Sequence, residues 1–378
     1  MNNTRQTSRP MRPMVPNLKL ALLRRISAAI APFLLVPSVM VSLPLYASGG
    51  PQPSNFISDE SVQIAAQYQQ QKQRINQQQA ERCGLARDMK IAQMAAYRQC
   101  KASVYYQSNL YQRLREQYPV TLETKKVGGV PVEWFTPINK TSARDNSRVL
   151  INLGGGAFQY YARVASHLES IPIASLSQID VVSIDYRRAP EHRFPAATED
   201  VVAVYRALLK QYRADRIGIY GCSSGAMLTA QTLVALVQAD LPLPAAAGLF
   251  CGAAAPIDRG DSPAMVGALY DRPIKAFNER LYFEQANASD PNVFPALSAA
   301  LLQQFPPTLL VTSTRDHLMS SAITTHRQLR QAGVEADLHV WEGMPHAFLW
   351  NTALPESQQA FATIVEFFTQ RLGNASSQ

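Results

Sequence analysis

The residues Arg216-Ile-Gly-Ile-Tyr-Gly-Cys-Ser-Ser-Gly-Ala-Met227 give the clearest indication of how this 378-residue chain folds. Their first half favours a buried strand, and the apolar run that follows them favours a helix. Between the two, Gly221-Cys222-Ser223-Ser224-Gly225 matches the pattern G-x-S-x-G, a tight turn that exposes a serine hydroxyl. Glycine suits both ends of this turn because a Cβ there would crowd it. Ser223 is therefore a candidate nucleophile, although so short a pattern also occurs by chance in ordinary turns.

The rest of the chain alternates between strands and helices. Apolar strand runs begin at Val149, Val181, Ala245, Pro307 and Asp337, and helices are predicted over about 197–212, 320–332 and 357–372. Upstream, two strands around Gly128-Gly129 predict an antiparallel hairpin. This alternation predicts an α/β fold with a mostly parallel central sheet flanked by helices. Ligands of such sheets bind beyond the carboxyl ends of the strands, where Ser223 is also expected.

Two residues downstream of Ser223 are suited to activate it. A serine nucleophile requires a base that takes its proton and an acid that orients the base. Among the six histidines, His346 follows the last predicted strand. Asp316 follows the strand before it, with a structural acid at a helix N-terminus as the alternative. Asp290 is a weaker rival for the acid. The order Ser223, Asp316, His346 is that of the α/β-hydrolases, so we predict this catalytic triad.

Three glycines after the strand at Val149 are suited to bind an oxyanion. Backbone N–H groups early in the sheet and the one after the nucleophile stabilise the charge that develops in acyl transfer. We therefore predict the N–H groups of Gly155, Gly156 and Ser224 as donors. The alternative is an ordinary glycine-rich turn. A dinucleotide site is excluded here because G-x-G-x-x-G is not present.

A second motif connects these residues with a known family. The segment Asp185-Tyr-Arg-Arg-Ala-Pro-Glu-His-Arg-Phe-Pro-Ala-Ala197 is similar to the pattern D-Y-R-x-A-P-E-x-x-F-P-A-A of hormone-sensitive-lipase-like esterases, bacterial family IV. The resemblance covers about residues 120–372. It implies an α/β-hydrolase fold, an acyl-enzyme mechanism on small esters without cofactor or metal, and a possible homodimer. It also implies a helical cap from 59–118 and 256–300, with Phe158 and Tyr160 as substrate-binding residues; core packing is the alternative for both rings.

The chain departs from this family at two places. The family's oxyanion loop reads H-G-G-G-F, but here the histidine position holds Gly154 or, with a shift of one residue, Leu153. The elbow reads Gly-Cys-Ser-Ser-Gly where the family has G-D-S-A-G. The elbow retains the serine at the nucleophile position. The missing histidine bears on how the oxyanion loop is held in place more than on which N–H groups are its donors.

The N-terminus carries most of the net charge of +8. Residues 1–47 hold six basic side chains and no acidic one, which leaves 30 basic against 28 acidic side chains in the rest. This distribution gives no nucleic-acid footprint. A basic pair, an apolar run over 26–46 and a small-residue site at Ala47 are typical of a cleaved signal peptide. We predict export to the periplasm or the medium and no membrane span after cleavage; an uncleaved membrane anchor is the alternative.

Export permits disulfides, and the chain has four cysteines. Cys83 and Cys100 are disulfide candidates because both lie in the helical N-terminal segment. Cys222 and Cys251 are expected to be free, buried thiols. No spacing of cysteine or histidine indicates a metal.

We accordingly predict three parts: a signal peptide (1–47), a linker and helical cap segment (48–118, with 48–58 flexible), and a catalytic domain (119–374). The predicted function is a serine hydrolase that cleaves carboxylic esters. A lactonase or amidase with the same triad is the first alternative. The second is a non-catalytic binding protein on a hydrolase fold.

Overall fold

An eight-stranded sheet forms the centre of the structure, a computed structural model that describes residues 52–86, 89–138, 147–161, 163–271 and 281–372. The predicted signal peptide lies outside the described residues, as do residues 272–280 of the predicted cap insertion. The strands are β1 Val120–Val127, β2 Val130–Pro137, β3 Val149–Leu153, β4 Asp180–Ile184, β5 Ile217–Cys222, β6 Ala246–Phe250, β7 Thr308–Arg315 and β8 Ala336–Pro345.

The strand order across the sheet is β1-β2-β4-β3-β5-β6-β7-β8. The β1–β2 hairpin and the β2–β4 pair are antiparallel, and all the other neighbours are parallel. This confirms the predicted α/β fold class and the predicted hairpin. The carboxyl ends of β5, β7 and β8 therefore lie along one edge of the sheet.

The described residues form ten α-helices, and several of these cover the two faces of the sheet. They are α1 Asp59–Cys83, α2 Met94–Tyr106, α3 Asn109–Gln117, α4 Val164–Ser177, α5 Ala196–Leu208, α6 Ser224–Gln238, α7 Asp261–Leu269, α8 Ala299–Leu302, α9 Met319–Gln331 and α10 Pro355–Arg371. Successive side chains of a strand point to opposite faces. In β3, Val149 and Ile151 pack with α5 and α6, whereas Leu150 packs with α4 and α10. All three side chains are fully buried, so each face has its own apolar core.

Helix α4 is the element that the sequence patterns did not predict. It connects the parallel strands β3 and β4, a connection that requires a crossover segment and usually a helix. The pattern is hidden because almost every residue of α4 is buried and because Pro172 lies inside it. A helix that is buried all round shows no amphipathic period. The number of residues between β3 and β4 was the feature of the sequence that could have predicted this helix.

The N-terminal segment packs on the domain from residue 52 onward. We expected 48–58 to be a flexible linker, but residues of the described part, 52–58, lie against β8. Ile57 fills the space above Gly343, where a Cβ would come within 2.2 Å of the Ile57 Cδ1 atom. Ser54 donates a hydrogen bond to Glu342 at 2.8 Å, and Ser61 donates one to Glu356 at 2.8 Å. These contacts fix the start of α1.

Two disulfides join the four cysteines. Cys83 and Cys100 are bonded and tie the end of α1 to α2. Cys222 and Cys251 are also bonded, so the expectation of free thiols for this pair was wrong. The physical reason is the sheet register. Cys222 pairs with Phe250 across β5 and β6, which brings the Cα atoms of Cys222 and Cys251 within 5.2 Å.

Among the described residues, none of the helices combines the length and the apolarity that crossing a bilayer requires.

Candidate active site

Ser223 lies at the sharp turn between β5 and α6. Its backbone has φ 60° and ψ −123°, a conformation that residues other than glycine rarely adopt. A Cβ on Gly225 would come within 1.7 Å of the Leu153 carbonyl oxygen, and a Cβ on Gly221 within 2.3 Å of the same oxygen. The two glycines are therefore required because β3 passes directly beside the turn. The Ser223 N–H donates to the Phe250 carbonyl at 2.8 Å, which fixes the turn from the other side.

The structure brings Ser223, His346 and Asp316 together. His346 Nε2 lies 3.0 Å from Ser223 Oγ, and His346 Nδ1 lies 2.7 Å from Asp316 Oδ1. Asp316 follows β7 and His346 follows β8, and both strands end at the edge where β5 delivers the serine. The Asp316 side chain is fully buried, whereas 26% of the His346 side chain is exposed. The base is thus accessible from solvent while its orienting acid is not.

The buried carboxyl of Asp316 is held in its ionised form. Burial alone would raise its pKa, but the charge and hydrogen bond of His346, the nearby His317 and the Leu318 N–H together hold the pKa below its usual value. The Leu318 N–H donates to Asp316 Oδ1 at 2.8 Å. An ionised acid in this position stabilises the imidazolium that forms when His346 takes a proton.

His317 is a neighbour of the triad that the sequence did not single out. Its ring lies 4.4 Å from the ring of His346, centroid to centroid, and its Nδ1 lies 3.8 Å from Asp316 Oδ1. Asp316, His317 and His346 also have a spacing that a metal ion accepts. However, the two ring nitrogens of His346 face Asp316 and Ser223, so this arrangement fits acid–base chemistry better than metal binding.

The glycine loop after β3 passes between Ser223 and α4. A Cβ on Gly155 would lie 3.4 Å from the Ser223 Cβ and 3.3 Å from the Trp350 ring. The Gly155 N–H, which we predicted as an oxyanion donor, donates to Glu169 Oε1 at 3.3 Å. Within the described part of the chain, the N–H groups of Gly156, Ala157 and Ser224 have no protein acceptor. They are the donors available beside the nucleophile.

Glu169, on α4, is a buried acid that the sequence patterns missed. It is 2% exposed and accepts hydrogen bonds from three donors: Asn152 Nδ2 at 2.8 Å, the Gly155 N–H at 3.3 Å and Trp350 Nε1 at 3.3 Å. Burial raises the pKa of the Glu169 carboxyl to about 8, although these donors and the Cys222 N–H oppose the shift. Glu169 is the only acidic residue between Val164 and Ser177, which was an available signal.

The segment that begins at Asp185, after β4, supports the loop from the other side. Tyr186 donates its hydroxyl to the Gly154 carbonyl at 2.6 Å. Asp185 accepts from Arg188 at 2.6 Å and from Arg163 at 3.0 Å. These contacts fit the structural role that the resemblance assigns to this motif, since none of them reaches Ser223.

The two predicted substrate-binding rings have different environments. Phe158 is 2% exposed and stacks on Tyr282 with ring centroids 4.2 Å apart, so the core-packing alternative describes it. The left-handed backbone at Ala157 and Phe158 turns this ring away from solvent. Tyr160 is 37% exposed and Tyr161 is 44% exposed. Tyr161 makes an edge-to-face contact with Trp350 at 5.5 Å.

The N-terminal helices reach this loop through Arg98 on α2. Its guanidinium donates to the Gln159 carbonyl at 3.3 Å and to the Ala189 carbonyl at 3.4 Å. It also pairs with Glu191 at 2.5 Å. The helical segment therefore contacts the end of the glycine loop.

Comparisons with known proteins identify the family of this chain. Residues 150–350 match the family model described as the alpha/beta hydrolase fold. An acetyl-hydrolase from Streptomyces hygroscopicus is 30% identical over 256 residues, which cover 65% of this chain and 82% of that protein. An ethyl acetate hydrolase from Pseudomonas putida is 26% identical over 270 residues, which cover 67% of this chain and 82% of that protein.

A solved structure is similar over most of its length. The crystal structure of an esterase from the bacterial hormone-sensitive lipase family is 28% identical, with a TM-score of 0.65. The match covers 80% of this chain and 98% of that one. The chain therefore belongs to the α/β-hydrolase fold family, in its hormone-sensitive-lipase-like branch of carboxylic ester hydrolases.

Proposed function

We propose that this protein hydrolyses small carboxylic esters through an acyl-enzyme on Ser223. The observation that carries the proposal is the continuous hydrogen-bonded chain from Asp316 through His346 to Ser223, with separations of 2.7 and 3.0 Å. Nucleophile and base within this reach, and an acid that orients the base, are the requirements of covalent acyl transfer.

In the first step His346 Nε2 accepts the hydroxyl proton of Ser223 while Oγ attacks the carbonyl carbon of the ester. The ionised Asp316 accepts the Nδ1–H hydrogen bond and stabilises the imidazolium. The N–H groups of Gly156, Ala157 and Ser224 receive the oxyanion. The C–O bond then breaks, and His346 returns the proton to the leaving alcohol. Water repeats the sequence on the acyl-enzyme and releases the acid.

We infer that short acyl groups are preferred. Trp350 lies against the same face of Gly155 as the Ser223 Cβ, and Tyr161 packs edge-on against Trp350. These rings narrow the space beside the nucleophile. Two similar proteins are named for acetyl substrates, the acetyl-hydrolase and the ethyl acetate hydrolase.

The proposal is tested with the Ser223→Ala variant on p-nitrophenyl acetate. We expect kcat to fall at least about 10⁴-fold because the acyl-enzyme cannot form. The matched control is Ser170→Ala, which removes a buried serine on α4 that bonds Ser183 at 2.7 Å. This control should keep its activity. Ester hydrolysis by a folded Ser223→Ala protein would contradict the proposal, and a lactone and an anilide in the same assay test the alternative substrates.

We also infer that the protein is exported. Two disulfides support this, because disulfides persist in oxidising compartments, as does the signal-like pattern at the N-terminus. Fractionation of cells that express the full chain should place esterase activity in the periplasm or the medium, with Ser48 as the N-terminal residue. An intact N-terminus in the membrane fraction would support the anchor alternative, and an intact, reduced cytoplasmic product would contradict export.

A further inference from the structure

We propose that Glu169 is a positioning residue that holds the oxyanion loop in its working geometry, in place of the histidine that related esterases have in this loop. This inference rests on the proposed function, because the loop has this role only if Ser223 is the nucleophile. Glu169 does not touch the substrate and acts through the loop it holds.

The first support is the distribution of contacts over the two carboxyl oxygens. Oε1 accepts from the Gly155 N–H on the loop and from Trp350 Nε1 beside the nucleophile, both at 3.3 Å. Oε2 accepts from Asn152 on β3 at 2.8 Å. The Glu169 side chain thus connects three parts of the site: strand β3, the glycine loop and Trp350.

The second support is the orientation of the loop peptides. With its N–H bonded to Glu169, Gly155 turns the position that a Cβ would occupy toward Ser223, 3.4 Å from the Ser223 Cβ. The next two N–H groups, of Gly156 and Ala157, then remain without a protein acceptor in the described part of the chain. Unpaired N–H groups next to a nucleophile are the arrangement that stabilises a developing oxyanion. Without the Glu169 contact, the Gly154–Gly155 peptide would be held only through its carbonyl, by Tyr186.

The third support is the burial of the contacts that Glu169 makes. Asn152 and Glu169 are both at most 2% exposed and Gly155 is buried, so an apolar side chain at position 169 would leave the Asn152 amide and the Gly155 N–H buried without this acceptor. Buried N–H groups without an acceptor are costly, and the loop would move to satisfy them. The Tyr186 hydroxyl binds the carbonyl of the same Gly154–Gly155 peptide, so Tyr186 holds one end of this peptide and Glu169 holds the other.

The test compares Glu169→Gln with Glu169→Leu on p-nitrophenyl acetate. The glutamine keeps an acceptor oxygen for Gly155 and Trp350, whereas the leucine removes both oxygens. We expect Glu169→Leu to lower kcat by roughly 10-fold to 10²-fold, up to the cost of one oxyanion donor, with KM within about twofold. Glu169→Gln should keep kcat within about threefold of the wild type. Affinity for phenylboronic acid, whose serine adduct is tetrahedral, should fall in parallel with kcat.

The matched control is His167→Leu. His167 lies two residues earlier on α4 and is equally buried, but it bonds Tyr111 at 2.8 Å and Glu133 at 3.0 Å, away from the loop. It should lower the melting temperature without lowering kcat. If Glu169→Leu does not fold, Glu169→Asp serves instead, because it withdraws the oxygens by one methylene.

Two results would overturn the inference: a folded Glu169→Leu with wild-type kcat, or His167→Leu with the same loss of kcat and of boronic-acid affinity. An inactive wild type that binds no boronic acid would instead overturn the proposed function.

Discussion

Ser223 occupies a backbone conformation that costs an L-residue of order 1–3 kcal/mol, and the surrounding structure compensates for it. Its N–H is bonded to Phe250, and the glycines on both sides sit against the Leu153 carbonyl. The sequence pattern sufficed to predict this residue because the turn itself requires the glycines. Asp316 and His346 were predictable for a related reason, since each directly follows a parallel strand.

Glu169 was not predictable in this way. Its partners Asn152 and Trp350 are 17 and 181 residues away in the chain, so its environment exists only in the folded protein. The pairing of Cys222 with Cys251 is a similar case, because it depends on the register between β5 and β6. Periodicity and local motifs carry no information about such contacts.

The raised pKa of Glu169 predicts a pH dependence of stability. Since its pKa is about 8 in the folded protein and lower in the unfolded chain, the folded state holds the proton more tightly. The stabilising contribution of this group is complete below its unfolded pKa and is lost as the pH rises through about 8. The tyrosines that face it, Tyr186 and Tyr220, have pKa values raised by burial and stay neutral over this range.

The check is urea unfolding of the wild type and of Glu169→Gln at pH 5 and pH 8.5. Between these two pH values, the free energy of unfolding of the wild type should decrease more than that of the variant. Comparing the two proteins removes the contributions of the other titratable groups to the pH dependence of the free energy of unfolding. These groups include Asp316, whose lowered pKa affects this free energy only at acidic pH. Equal pH dependence in the two proteins would contradict the assignment of a raised pKa to Glu169.

At the level of elements, α4 is both the helix that the sequence patterns did not predict and the helix that carries Glu169, for which we propose the positioning role. Because α4 is buried on all sides, its sequence lacks the amphipathic period that would predict a helix. For the same reason, a polar side chain on α4 indicates a specific hydrogen-bonded contact inside the protein. The strands and the remaining long helices of the catalytic domain were predicted within a few residues because their apolar runs are bounded by turns. Ala246–Phe250, for example, was expected as a strand over about 245–251.

The N-terminal helices depend on a covalent link. The Cys83–Cys100 disulfide closes a loop with a sequence separation of 17 residues between α1 and α2. Cross-linking a loop of this length is expected to stabilise the folded state by about 3 kcal/mol, through the reduced entropy of the unfolded chain. We predict that Cys83→Ser lowers the free energy of unfolding by about this amount in urea titrations.

The double variant Cys83→Ser/Cys100→Ser is the control, because a single cross-link can be lost only once. The urea concentration at its unfolding midpoint should be close to that of either single variant. If the two single losses were additive, or if neither variant were destabilised, the disulfide would not be the stabilising element.

The whole molecule concentrates its chemistry at one edge of the sheet. β3 ends at the glycine loop, β5 ends before Ser223, β7 before Asp316 and β8 before His346. Parallel strands place these four loops side by side, although the residues involved are spread over almost two hundred positions of the chain. The N-terminal helices close on this edge through Arg98, and the segment before them packs on β8.

The most direct test of the central claim is to locate the covalent adduct. The protein is incubated with a fluorophosphonate, digested, and its peptides are examined by mass spectrometry. A single adduct on Ser223, absent after prior acylation by p-nitrophenyl acetate in a rapid-quench experiment, is the predicted result. Modification of a different residue, or complete lack of modification in a protein that hydrolyses the ester, would contradict Ser223 as the nucleophile.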